Sequence, residues 1–179
     1  MAIDQRFLDY YKDYDRLPYI GADRDYDDWL LRSKPVPKRN MEDLGQGLVA
    51  GDIILLWRVG FDTFHTASNF PKYFEYTYGI DAKLHLKRLI DQGYVEVESP
   101  FASLDLLSAT IKKQFLKEKK LAGLSKMKVA DLDQAILDQF TEEEWGQKTS
   151  MRSYKLSPKG RRILEQHEKV LDRHPQKKF

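Results

Sequence analysis

Two half-units that need each other stand about fifty residues apart in this chain. The first runs from Asp81 to Val97. Ala82, Leu86, Leu89 and Ile90 recur at i, i+4, i+7 and i+8, the spacing of one helical face, which leaves Lys83, Lys87 and Arg88 on the outside. Asp81 is placed to cap that helix, Gly93 to stop it, and Tyr94-Val-Glu-Val97 alternates as a strand. The second half, Tyr154-Lys-Leu-Ser-Pro-Lys-Gly160-Arg-Arg-Ile-Leu164, is a strand that turns into a helix with Pro158 in its first turn. A lone short strand has no partner for its backbone hydrogen bonds, so the two strands are expected to pair. Whatever lies between them is then an insertion tethered at both ends.

Upstream, Pro71-Lys-Tyr-Phe-Glu-Tyr-Thr-Tyr-Gly79 reads as a helix with proline at its start and glycine at its end. The run Leu48-Val-Ala-Gly-Asp-Ile-Ile-Leu-Leu-Trp57 is apolar throughout and fits either a buried helix or a strand. Helix, glycine turn, helix, strand is the order of a helix-turn-helix followed by the first strand of a wing. Tyr154 to Gly160 resembles the second wing strand of many winged-helix regulators, which commonly reads Tyr-x-Leu-Thr-x-Lys-Gly. In the last helix Ile163, Leu164, His167, Val170 and Leu171 mark the inner face, while Lys159, Arg161, Arg162, Lys169 and Arg173 lie outside. The tail from Pro175 is expected to fray.

The N-terminal segment is rich in tyrosine and aspartate, with Tyr10, Tyr11, Tyr14, Tyr19 and Tyr26 set among seven aspartates from Asp9 to Asp28. It is expected to drape over the domain, with a small helix at Tyr26 to Leu31 and an extended linker at Pro35-Val-Pro37. Formal net charge is only +2, so the total favours no polyanionic partner, but its distribution is uneven. Residues 1–45 and 46–103 each sum to −2, residues 104–140 to +2 and residues 141–179 to +4. Phosphate contacts are therefore expected in the C-terminal half.

The absence of cysteine excludes disulfides and thiolate metal sites. Met1-Ala-Ile-Asp-Gln-Arg-Phe7 lacks the basic and apolar regions of a signal peptide. Ile53 to Trp57 is far shorter than the about 20 residues that span a bilayer, so no membrane partner and a cytoplasmic location are expected.

The insertion itself has helical periodicity twice over. Leu107, Ile111, Phe115 and Leu116 stripe one helix with Ser108 as its cap, and Val129, Leu132, Ile136 and Leu137 stripe a second after a turn at Gly123. This helix, Gly-Leu turn and Lys-x-x-Asp-Leu helix resembles the SAP domain, a DNA-binding helix-extended-helix motif. The wider chain is similar to uncharacterised SAP-domain proteins of bacteria and their phages. Pro71 to Ile80, Leu89 to Tyr94, Leu106 to Leu137 and Tyr154 to Gly160 match their segments in order, so the resemblance covers residues 48–174. SAP domains usually carry Gly-Lys-Lys before the second helix. Ser125-Lys-Met-Lys-Val-Ala-Asp-Leu132 lacks that glycine and is one residue shorter.

The candidate nucleic-acid contacts are Lys112, Lys113, Lys117, Lys120, Lys126 and Lys128 of the insertion, where Lys119 adds another ammonium. Lys83, Lys87 and Arg88 supplement them on the helix after the turn, beside His85. His65, His85, His167 and His174 are too scattered to chelate an ion together, and no cofactor is expected. Thr141 with Glu142-Glu-Glu144 reads as a helix cap, and Trp29, Trp57 and Trp145 as core residues sooner than base-stacking platforms. No nucleophile elbow, phosphate loop, dinucleotide fingerprint or zincin helix is present, so nothing proposes a reaction.

The expected fold is α+β and mostly helical: a winged-helix-like core (46–103 plus 150–174), a small β-hairpin, an inserted SAP-like hairpin (104–141) and the N-terminal segment (1–45). The expected function is non-enzymatic DNA binding in phage or bacterial DNA transactions. An adaptor that docks a protein partner is the alternative, and a homodimer through Leu48 to Trp57 or the last helix stays open.

Overall fold

The computed structural model describes residues 3–32 and 34–175, so the tail beyond Pro175 lies outside the described residues. Among these the chain forms ten α-helices, three 3₁₀ turns and one two-stranded antiparallel sheet, a mostly helical α+β protein. No helix among them is long and apolar enough to cross a membrane. Two compact units emerge, one of Met1–Phe61, Asn69–Glu96 and Leu156–Phe179, the other of Asp62–Ser68 and Val97–Lys155.

The first unit holds α1 (Gln5–Tyr10), α2 (Tyr26–Arg32), α3 (Ala50–Val59), α4 (Tyr73–Tyr76) and α5 (Ala82–Asp91). Its centre is α3, which settles the ambiguity of Leu48 to Trp57 in favour of a helix. Ala50, Ile53, Ile54, Leu55, Leu56 and Val59 have no exposed surface, as an all-round apolar helix requires. With Leu48 and Val49 also buried, most of this segment packs into the core of the first unit. Gly51 permits the fit, because a Cβ there would run into the side chain of Ile80.

The helix expected from Pro71 to Gly79 shrinks to the single turn of α4. Gly79 has φ +61°, its N–H donates to Glu75 and the N–H of Ile80 reaches back to Phe74 at 2.9 Å. These bonds close the helix on its glycine within one turn. Asp81 then caps α5 by accepting from the Leu84 N–H at 3.3 Å, and Ala82, Leu86 and Leu89 are its buried face. The N-terminal segment hydrogen-bonds this region, with the Tyr19 N–H on the Gly79 carbonyl at 2.7 Å and the Asn40 amide on the Thr77 carbonyl at 2.9 Å. Phe7, Tyr11, Trp29, Val36 and Met41 form their own apolar cluster beneath it.

The chain leaves the first unit along β1 (Val95–Val97) and returns along β2 (Tyr154–Leu156). The second unit is built from α6 (Ala109–Glu118), α7 (Val129–Gln139) and α8 (Glu142–Lys148) around Leu104, Leu116, Leu132, Ile136, Phe140 and a fully buried Trp145. Ser108 and Thr141 cap α6 and α8 as expected, accepting from Ile111 at 3.3 Å and Glu144 at 3.1 Å. In the same unit His65 forms an antiparallel bridge with Ser153, flanked by Tyr154 N–H to Phe64 O at 3.0 Å and Thr66 N–H to Arg152 O at 2.9 Å.

After β2 come α9 (Pro158–Gln166) and α10 (Glu168–Asp172), both in the first unit. The Ser-Pro-Lys-Gly that opens α9 is a clamp. Ser157 accepts from the Gly160 N–H at 3.0 Å while donating to the Gly93 carbonyl, and the Ser157 N–H donates to the Tyr94 carbonyl at 3.1 Å. Lys159 donates to the Gln92 carbonyl at 2.8 Å and stands 4.3 Å over the Tyr94 ring. A Cβ on Gly160 would collide with the Tyr94 carbonyl oxygen, which explains the glycine of the motif.

Candidate nucleic-acid interface

The insertion lysines divide by what they already touch. Lys112 is 1% exposed and its ammonium sits 2.6 Å from Asp133 on α7. It holds α6 to α7 and is removed from the phosphate contacts, a correction to the candidate set. Ile111, expected on the inner stripe, is 39% exposed instead. The face is turned because α8 supplies a third wall: Trp145 packs edge-on to Phe115 at 5.2 Å between ring centres, and Lys112 with Leu116 at i, i+4 faces inward. Lys119 reaches Glu144 at 3.3 Å and lies 4.8 Å over the Phe140 ring, so it ties α6 to α8. Lys148 does the same with Glu118 at 2.7 Å.

Lys113, Lys117, Lys120, Lys126 and Lys128 form no ion pair among the described residues. Four of them are exposed and Lys113 is half-buried. Lys117 lies in the last turn of α6, Lys120 lies in the turn with φ +58°, Lys126 closes a 3₁₀ turn and Lys128 precedes α7. These four therefore gather where the two helices are joined. The backbone at the start of α7 is already engaged, since the Lys128 N–H donates to the Asp131 carboxylate at 3.0 Å. That carboxylate opposes a phosphate at the helix end, so the lysine side chains are left as the means of contact.

Lys83, Lys87 and Arg88 are exposed on α5, in the other unit. His85, between them, is drawn inward: its Nδ1 is 2.7 Å from Asp52 Oδ1. Asp52 is 5% exposed at its side chain, and its Oδ2 accepts from the Val49 N–H at 2.9 Å, capping α3. Sequence reasoning passed over Asp52. The signal was there, because one acid inside the apolar run from Leu48 to Trp57 must find a partner when the run is buried.

The remaining candidates resolve as core. Trp29 is 6% and Trp145 0% exposed, so neither presents a ring for base stacking. His174 donates or accepts with the Tyr78 hydroxyl at 2.6 Å and packs on Trp57 and Tyr73. Burial, then the nearby Arg58, pulls its pKa below the ordinary 6.5, and burial pushes Tyr78 up to about 12. No group of three His, Asp or Glu side chains among the described residues is arranged to hold a metal ion.

A cavity of about 820 Å³ opens in the N-terminal part of the first unit. Tyr11, Tyr19, Trp29 and Tyr76 line it together with the carboxylates of Asp23, Asp25, Asp28 and Glu75. Arg24 already lies at its edge, 4.4 Å over the Tyr76 ring and 3.5 Å from Glu75. Compared with protein-family models, with curated proteins and with solved structures, the chain gives no match.

Proposed function

We propose that this chain is a non-enzymatic DNA-binding protein, a winged-helix-like core whose wing carries a SAP-like helical hairpin, similar to proteins of bacteria and their phages. The architectural part is supported by element order: α3, a bridging segment at His65, α4, α5, β1 and β2, with His65 paired to Ser153 beside β2. A short strand between the first two helices that pairs with the last wing strand is what a winged helix needs. The binding part rests on one observation. Lys113, Lys117, Lys120, Lys126 and Lys128 have no acidic partner among the described residues, whereas their neighbours Lys112, Lys119 and Lys148 are each held by a carboxylate. Cations left without counter-charge, four of them around one turn, suit a polyanion and make its affinity salt-dependent. Fluorescence polarisation with labelled duplex and single-stranded oligonucleotides tests the reading, and no binding at about 20 mM salt contradicts it.

A second reading, an adaptor that takes a protein partner, is favoured by the aromatic and acidic cavity of the N-terminal segment. Arg24 over Tyr76 and beside Glu75 indicates the chemistry that such a cavity recognises, a guanidinium or ammonium of a basic peptide. Titration with an arginine-rich peptide separates the readings: binding that survives loss of the insertion lysines and fails in Tyr76→Ala belongs to the adaptor.

A further inference from the structure

A second, smaller cavity of about 250 Å³ lies in the first unit between the Gly45-Gln46-Gly47 loop and α5. Arg16, Gln46, Asp52, His85, Arg88 and Gln92 line it. It falls below the about 300–1,000 Å³ of pockets that enclose drug-sized molecules, so it suits a chemical group sooner than a whole ligand.

Its charges are unbalanced in one direction. Asp52 is the acid in the wall, and both its oxygens are engaged, Oδ2 by the Val49 N–H and Oδ1 by His85 Nδ1. A carboxylate accepts only from a protonated nitrogen, so the bond fixes hydrogen on Nδ1 and leaves Nε2 as the atom available to a ligand. Nε2 has no hydrogen-bond partner among the described residues, and the Arg88 guanidinium has no ion pair among them. Arg16 spends one nitrogen on Asp43 at 2.9 Å, and Asp43 also accepts the Gly45 N–H at 2.7 Å. The remaining N–H groups of Arg16 have no hydrogen-bond partner among the described residues. Gln46 turns its carbonyl oxygen to the Tyr94 hydroxyl, which leaves its amide N–H₂ as donor.

A helix tie between α3 and α5 would need only the Asp52–His85 bond. It would not need two arginines and a free imidazole nitrogen around the same small space. Arginine forks with planar N–H pairs match phosphoryl oxygens, and a histidine held by a carboxylate adds a directed donor once protonated. We propose that this cavity is a phosphoryl-binding site, with Arg88, Arg16 and His85 Nε2 as its ligands and Asp52 as the residue that positions His85. The site deepens the DNA-binding reading, on which only the source of the phosphoryl group rests.

The test follows the His85 imidazole by NMR in the full chain during titration with inorganic phosphate, against sodium chloride at equal ionic strength. The site predicts a saturable shift with phosphate alone. Arg88→Gln, an exposed position that leaves the core intact, weakens it at least about tenfold, the usual worth of a charged hydrogen bond. His85→Asn keeps the bond to Asp52 through its amide and lacks Nε2. Followed through the Arg88 guanidinium, it loses phosphate by a similar factor. A shift with a 5′-phosphorylated oligonucleotide but not its 5′-hydroxyl form assigns a strand end, and a shift with both assigns the backbone. A protein that takes phosphate yet binds no oligonucleotide keeps the site and refutes the DNA reading. No phosphate-dependent shift at tens of millimolar, or an equal shift with chloride, overturns the site.

Discussion

The ammonium of Lys112 lies 2.6 Å from the carboxylate of Asp133, inside a hairpin where Lys117, Lys120, Lys126 and Lys128 are exposed. One residue of the basic run is thus spent on joining α6 to α7. Removing one partner of a buried pair leaves the other charge without compensation, and Asp133, 26% exposed at its side chain, recovers part of its hydration. Lys112→Met is expected to lower stability by about 1–3 kcal/mol in urea unfolding, and the double variant with Asp133→Leu to regain most of that loss. Oligonucleotide affinity and its salt dependence stay unchanged in Lys112→Met. A reduced salt dependence would return Lys112 to the contact set.

The Ser-Pro-Lys-Gly clamp makes a sharper demand on one glycine. Gly160→Ala presses a methyl into the Tyr94 carbonyl oxygen, and backbone yields less readily than a side chain. The expected cost is at the upper end of the about 1–3 kcal/mol for overpacking, read as a lower urea midpoint. Gly123, with φ +78° and nothing near its Cβ, costs only the left-handed conformation, about 1 kcal/mol as alanine. Equal midpoints for the two variants would remove the clamp from the account.

His174 makes stability depend on pH. Burial and Arg58 hold its folded pKa below the unfolded 6.5, so the unfolded chain binds the proton more readily. Its contribution is complete above about pH 6.5 and is lost as pH falls through the depressed folded value. Asp43 and Glu142 are lowered as well, the first chiefly by the Gly45 N–H and the second chiefly by Ser99, so their losses come at more acid pH. His174→Asn should flatten the fall in thermal midpoint between about pH 7 and pH 5 and leave the fall below about pH 4.5. An unchanged fall in the upper window assigns it elsewhere.

How much of this was legible depended on whether the deciding contact was local. The caps at Asp81, Ser108 and Thr141 act within three residues, and the sequence pattern carries them directly. The periodicity of α6 places its inner face one position off, because Trp145, thirty residues downstream of Phe115, forms a wall that periodicity in α6 alone does not reveal. Asp52 and His85 are likewise joined only in three dimensions. The motif glycine at Gly160 was legible as a resemblance, and its reason, the Tyr94 carbonyl, only in the fold.

The central claim is that the unpaired lysines around the α6–α7 connection meet phosphates. Fluorescence polarisation across a salt series, with the natural chain and with Lys113, Lys117, Lys120, Lys126 and Lys128 all changed to glutamine, tests it most directly. Each phosphate contact contributes about 0.9 to the slope of log affinity against log salt on duplex DNA, so three or four contacts give a slope near −3 that falls toward zero in the variant. No oligonucleotide binding at about 20 mM salt, or a variant that binds with the same affinity and slope, contradicts it.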